Sequence, residues 1–221
     1  KCHKKRIVVM DKQLLDHYME ALIQGNRQEC HRIVTDLLSG GTEIRTLYSD
    51  LFQHSLYQVG ELWETNRISV AVEHLATSIT ESLMSLVYPR LFSAEHIGKK
   101  AVISCAVNES HQIGGKMVAD IFELNGWDGH FLGVNTPVPD QIRFIHDTRP
   151  DVVGFSLSIH SNLPMLVEHT DAIRSTFKDL PIIFGGQAFR WGGVEKMEQF
   201  SETRYIASLD DLETFISRMS K

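Results

Sequence analysis

The sequence predicts an N-terminal four-helix bundle followed by a doubly wound, five-stranded parallel sheet of the α/β class. Three observations carry this. Over residues 10–92 apolar residues recur at helical spacing, interrupted only by short polar breaks. Over residues 98–220 short apolar runs alternate with helical stretches, the pattern of parallel strands joined by helical crossovers. The breaks fall at Gly, Asn or Pro, the residues that end regular structure.

In the first half, Met10 to Gln24 and Arg27 to Leu38 read as two amphipathic helices, separated by Gly25-Asn26 and closed by Gly40-Gly41. Thr42 is placed to cap a third helix reaching about Thr65. Asn66-Arg67 is the next break, Ser69 the next cap, and Pro89 the stop of a fourth helix ending at Tyr88. On that helix Val72, Leu75, Ile79, Leu83 and Leu86 form one apolar stripe. Helices with short connections pack as an antiparallel bundle. In the second half, strands are expected at Ala101 to Val107, Trp127 to Leu132, Asp151 to Leu157, Pro181 to Phe184 and Tyr205 to Ser208. The helices between and after them are Gln112 to Leu124, Pro139 to Thr148, Leu163 to Phe177 and Asp210 to Met219.

Composition narrows the function. A net charge of −6 argues against direct nucleic-acid binding, which needs a concentrated basic surface. The basic cluster Lys1, Lys4, Lys5 and Arg6 reads as a solvated tail. Cys2, Cys30 and Cys105 are sparse and lack a CxxC spacing, so a reducing compartment is expected and no disulfide framework. No run is long and apolar enough for a membrane span, and no signal peptide is visible, so the expected location is the cytoplasm.

The chemistry concentrates in Glu109-Ser110-His111-Gln112-Ile113-Gly114-Gly115, directly after the first strand and opening a helix. In a doubly wound sheet that is the ligand crevice. A neutral imidazole suits cobalt or zinc. Glu109 can accept the other ring N–H of His111 and so fix its tautomer. Gly114 and Gly115 let a ligand approach the backbone. After Gly114 come 41 residues and then Ser156-Leu157-Ser158; after Ser158 come 26 residues and then Gly185-Gly186. All three elements fall at strand carboxyl ends.

This spacing resembles the B12-binding domain of methionine synthase, mutases and corrinoid proteins, whose pattern is DxHxxG, SxL and GG. The resemblance implies a flavodoxin-like domain that binds cobalamin base-off. His111 would be the lower ligand of the cobalt and Glu109 its partner. Gly114, Ser156, Ser158, Gly185 and Gly186 would line the slot for the displaced nucleotide tail. Glu109 stands where most members have Asp, and Ser158 where many have Leu. His160 borders this region but reads as a surface histidine. Trp127 and Trp191 read as packing residues, Trp191 with the alternative of shielding the tail because it follows the Gly185-Gly186 loop, and Cys105 reads as a small core residue.

The helical half sharpens the resemblance. Trp63 is followed after nine residues by Glu73-His74, a pattern similar to light-sensing B12 regulators of the CarH type. The resemblance implies that Trp63, Val70, Glu73 and His74 line the pocket of the adenosyl group of adenosylcobalamin, with Glu73-His74 buried beside the Trp. Light would then cleave the cobalt–carbon bond and change the assembly of a dark homo-oligomer. Glu64 occupies the place of the family histidine that captures cobalt after illumination, which leaves water, His54 or His74 as the upper ligand. The DNA-binding domain of such regulators is not in this sequence, so the signal is expected to pass to a downstream regulatory protein or to a missing part of a longer regulator. The reading is a non-enzymatic photoreceptor module. Its rivals are a corrinoid methyl carrier of a methyltransferase system and a B12 storage or light-independent sensing protein.

Overall fold

The computed structural model describes residues 10–106 and 108–220, so Lys1, Cys2, Lys4, Lys5, Arg6 and Val107 lie outside it. The chain divides into a helical unit ending at Pro89 and an α/β unit beginning at Arg90.

In the helical unit, α1 (Lys12–Ile23) is capped by Asp11, whose side chain accepts from Gln13 N, and α2 (Arg27–Ser39) by Asn26, which accepts from Glu29 N. These caps satisfy donors that the first helical turn leaves unpaired. The third helical run is continuous but not uniform. Short α3 (Ile44–Thr46) passes through a π-helical segment, Leu47–Gln53, into α4 (His54–Glu64). The cap differs from expectation: Glu43, not Thr42, holds the N-cap position and makes no side-chain capping bond, while Thr42 is buried. Ser69 does precede α5 (Val70–Met84), but it too makes no capping bond. Helix α5 ends earlier than expected. A 3-10 turn, Ser85–Val87, leads into α6 (Tyr88–Leu91), which contains Pro89. Pro89 is no stop here because it sits in the first turn of α6, where a missing N–H breaks no helical bond.

The buried face of α5 is Ala76, Ile79, Thr80, Leu83 and Met84; Val72, Leu75 and Leu86 are only half-buried, so the expected stripe is rotated. Helix α5 packs on α1, α2 and α4, with Tyr18, Tyr48 and Phe52 clustered at ring separations of 6.1 to 6.4 Å.

The α/β unit runs β1 (Lys100–Cys105), α7 (Ile113–Leu124), β2 (Asp128–Phe131), α8 (Val138–Thr148), β3 (Val152–Ser156), α9 (Leu163–Thr176), β4 (Ile182–Gly185), α10 (Val194–Glu198), β5 (Thr203–Ile206) and α11 (Leu209–Met219). The strands form one parallel sheet in the order β2-β1-β3-β4-β5. Strand β1 ends at Cys105, earlier than expected, and β5 begins and ends earlier. Two 3-10 turns, His160–Asn162 and Gln187–Trp191, and the short α10 carry no clear sequence signal. Val102, Val153, Phe155 and Phe184 pack with Leu166 and Ile173 of α9 in a continuous core. Burial of both faces explains why β1 and β3 read as unbroken apolar runs. Trp127 is fully buried and its Nε1 donates to Ser220 Oγ (2.9 Å). Trp191 is 60% exposed, so it is not the packing residue expected. Cys30 and Cys105 are buried and unpaired. Among the described residues no helix is long and apolar enough to cross a membrane.

Candidate functional site

The strand order reverses between β1 and β3, the first strand pairing with β2 on one side and β3 on the other. At such a switch point the connections leave the sheet in opposite directions and open a crevice at the carboxyl edge. The Glu109–Gly115 loop follows β1 there, and Ser156-Leu157-Ser158 ends β3 beside it, with Cys105 paired to Ser156 across the ladder. Strand β4 brings Gly185 into register with Ser156. The three sequence elements therefore meet at one edge.

Glu109 organises this edge. Its side chain is fully buried, at 0% exposure. Oε1 accepts from His111 N (2.9 Å) and from His111 Nδ1 (2.6 Å). Oε2 accepts from the backbone N–H groups of Ser158 (2.7 Å) and Ile159 (3.0 Å). Burial alone would raise the Glu109 pKa, but hydrogen bonds from His111, Ser158 and Ile159 outweigh it and hold the carboxyl below its ordinary range. A carboxylate that already accepts at both oxygens takes a proton from neither donor, so the His111 ring keeps its N–H on Nδ1. In the neutral ring, Nε2 then carries the lone pair, the form required of a metal ligand.

The other loops are tied to this one. Asn108 N donates to Asn135 Oδ1 (3.2 Å), Asn162 Nδ2 donates to Asn108 O (3.1 Å), and His160 Nδ1 donates to Ala188 O (3.1 Å). Sequence reasoning missed Asn108, Ile159 and Asn162. Asn108 and Ile159 act through backbone groups, which carry no side-chain signature, and Asn108 adopts a positive φ of 61°, which Asn tolerates.

Gly114 opens the slot. A Cβ built there would stand 3.4 Å from Ser156 Oγ, so its absence leaves the hydroxyl facing a gap. Gly186 has φ +112°, and a Cβ there would meet Leu157 O at 2.2 Å. Only glycine lets the β4 loop lie against β3 in this way. Ser156 is buried, while Ser158 and Gly185 are half-buried. An imidazole held through Nδ1, a glycine-lined gap and a serine hydroxyl within it suit a metallocofactor with a pendant tail.

In the helical unit, Trp63 lies near the end of α4 and Val70, Glu73 and His74 in the first turns of α5, at one corner. Trp63 is 45% and Val70 50% exposed. Glu73 is half-buried, accepting from Thr77 Oγ1 (3.1 Å), but the His74 side chain is 73% exposed. The buried Glu73-His74 pair expected beside Trp63 is therefore not found: Glu73 is half-buried and His74 is exposed. The α4–α5 corner turns within a few residues, and that brings these side chains to the surface.

Comparison with known proteins bears on both units. A family model described as B12 binding domain matches residues 99–199, and a second model of the same description matches residues 14–88. The HTH-type transcriptional repressor CarH of Myxococcus xanthus is 28% identical over 145 residues, covering 65% of this chain and 48% of the repressor. Its CarA counterpart is 31% identical over 127 residues, covering 56% of this chain and 43% of that protein. The chain thus spans about half the length of these relatives. The Methanosarcina barkeri monomethylamine corrinoid protein superposes with a TM-score of 0.81 at 14% identity, over 95% of this chain and all of that one, which shows the shared fold. Both units thus match models of B12-binding domains, and together they form a B12-binding module similar to that of the CarH and CarA repressors.

Proposed function

We propose that this chain binds adenosylcobalamin base-off, with His111 as lower cobalt ligand, and works as a light sensor without turnover. The observation that carries the binding mode is the Glu109 carboxylate, which holds His111 Nδ1 on one oxygen and the β3 loop on the other. It fixes the tautomer and the direction of the imidazole before any cofactor arrives, so less ordering is required on binding. The gap between Gly114 and Ser156 would take the nucleotide tail, with Ser158, Gly185 and Gly186 along its walls.

The α4–α5 corner supports the sensing role. Trp63 offers an aromatic face, Val70 an apolar contact, and Glu73 a carboxylate able to accept ribose hydroxyls. Exposed apolar groups of this size are stabilised when a ligand covers them. When bound, adenosylcobalamin supplies a cobalt–carbon bond that visible light cleaves. Loss of the group covering Trp63 and Val70 would re-expose them and shift the balance between arrangements of the chain or of a homo-oligomer. A downstream regulatory protein would read that shift.

The rival reading is a methyl-carrying corrinoid protein. It rests on the fold shared with the Methanosarcina barkeri monomethylamine corrinoid protein. One experiment separates them: the chain is loaded with adenosylcobalamin in the dark and its hydrodynamic size and spectrum are compared before and after green light. The sensor reading expects a spectral conversion with a change in size. A stable size after complete conversion would refute it and favour the carrier. The lower ligand is checked by H111A, which is expected to abolish the histidine-ligated spectrum.

A further inference from the structure

The chain between α6 and β1, residues 92–99, leads from the helical unit into the sheet, and the cobalamin reading makes no use of it. Its last residues lie at the amino edge, where β1 and β2 begin, opposite the His111 loop. Ile97 N donates to Gly126 O (2.8 Å), and Asp128 N donates to Lys99 O (2.8 Å). Glu95 O leaves no room for a Cβ on Gly126, so this segment lies directly against the turn from α7 to β2. His96 thereby sits between two carboxylates. Its Nδ1 donates to Asp128 Oδ1 (2.7 Å), and its Nε2 stands 4.0 Å from Glu123 Oε2. Glu123 Oε1 accepts from Gly129 N (2.9 Å), whereas Oε2 is buried and takes no hydrogen bond among the described residues. The His96 side chain is 47% exposed, so protons reach it from solvent.

We propose that residues 95–99 form a strap whose hold on the α/β unit is set by His96, which closes onto Glu123 when the imidazole is protonated. A neutral ring has one N–H, and Asp128 takes it. Nε2 then turns a lone pair toward the Glu123 carboxylate, and two acceptors repel. Protonation places an N–H there, and an approach of about 1 Å makes a charge-assisted bond. Histidine is the side chain that changes charge between about pH 5 and 8. Asp128 faces it from β2 and Glu123 from α7. Glu123 lies in the last turn of α7, where the helix end adds partial negative charge. Within the strap Glu95 precedes His96, and Lys99 is turned away, onto Met219 O of α11 and the Trp127 ring. Because the strap is itself part of the connection, closing it fixes residues 95–97 to the α/β unit and shortens the free chain that leads to the helical unit.

The test is amide hydrogen exchange on the full chain at pH 5.5 and pH 8, read by NMR as protection factors so that the intrinsic pH dependence of exchange is removed. The Ile97 amide, bonded to Gly126 O, reports opening of the strap, and the core amide of Val153, bonded to Pro181 O, reports global stability. In wild type the Ile97 protection factor should be about five-fold higher at pH 5.5 than at pH 8, the scale of a half-exposed ion pair. In H96A that difference should vanish while Val153 responds to pH as in wild type. E123Q gives the sharper readout. Its amide oxygen keeps the bond from Gly129 N, so its NH2 faces His96 Nε2, and only the neutral ring can accept from it. The sign should therefore reverse, with Ile97 better protected at pH 8. Equal Ile97 protection at the two pH values in wild type would overturn the proposal. So would a wild-type pH response in H96A, or an E123Q response that keeps the wild-type sign.

Discussion

Replacing Glu109 by Gln tests the central clamp, because the shape is kept and the hydrogen-bonding sign is changed on one side. The buried carboxylate accepts four N–H donors, two from His111 and two from the β3 loop. An amide has one acceptor oxygen and one NH2. Whichever way it turns, two donors face an NH2 in a site closed to water. A buried donor left unsatisfied costs about 1–3 kcal/mol, so the pair should cost about 2–6 kcal/mol of stability. Urea unfolding of the cofactor-free chain followed by circular dichroism measures it. Loss of the fixed imidazole orientation should also weaken cobalamin binding by about 10- to 100-fold. The pH dependence provides a second readout. The folded carboxyl lies below its ordinary value of 4.5, so its contribution is present above that pH and is lost as pH falls through the lower folded value. Glu109→Gln should flatten that part of the acid limb. A stability loss under about 1 kcal/mol with affinity within about two-fold of wild type would refute the clamp.

Gly114→Ala places a methyl at ordinary contact distance, 3.4 Å from Ser156 Oγ, and should leave the fold intact while narrowing the gap; thermal unfolding should be unchanged, and affinity should fall for cobalamin but not for cobinamide. Gly186→Ala meets Leu157 O at 2.2 Å with φ +112° and should destabilise by about 2 kcal/mol or more in the same urea assay. His169 is buried, bonded to Gln141, which donates to Ser104, and burial pushes its pKa down from 6.5 to about 4. The fold needs it neutral, so stability should fall by about 1.4 kcal/mol per pH unit from roughly pH 6.5 down to 4, and His169→Leu should remove that slope. Trp63→Ala, at a 45% exposed position, should change unfolding by under about 0.5 kcal/mol yet weaken adenosylcobalamin relative to hydroxocobalamin in a dark titration.

Much of this protein was legible in its sequence because periodicity reports burial directly. The alternation of apolar runs and helices gave the parallel sheet, and the spacing from His111 to Ser156 and Gly185 placed three loops at one edge without coordinates. Local signals did less well where tertiary packing overrides them. Thr42 is buried and not a cap, and Pro89 sits harmlessly in a first helical turn. His74 was expected buried beside Trp63 and stands exposed, because a residue's type does not say which way a turn aims it. The Glu109–His111 pairing was readable, two residues apart on one loop. Only the folded chain decided that the same carboxylate also grips the backbone of Ser158 and Ile159, 49 and 50 residues away. Backbone N–H groups are the same for almost every residue, so the sequence carries no mark of which of them a buried charge will gather.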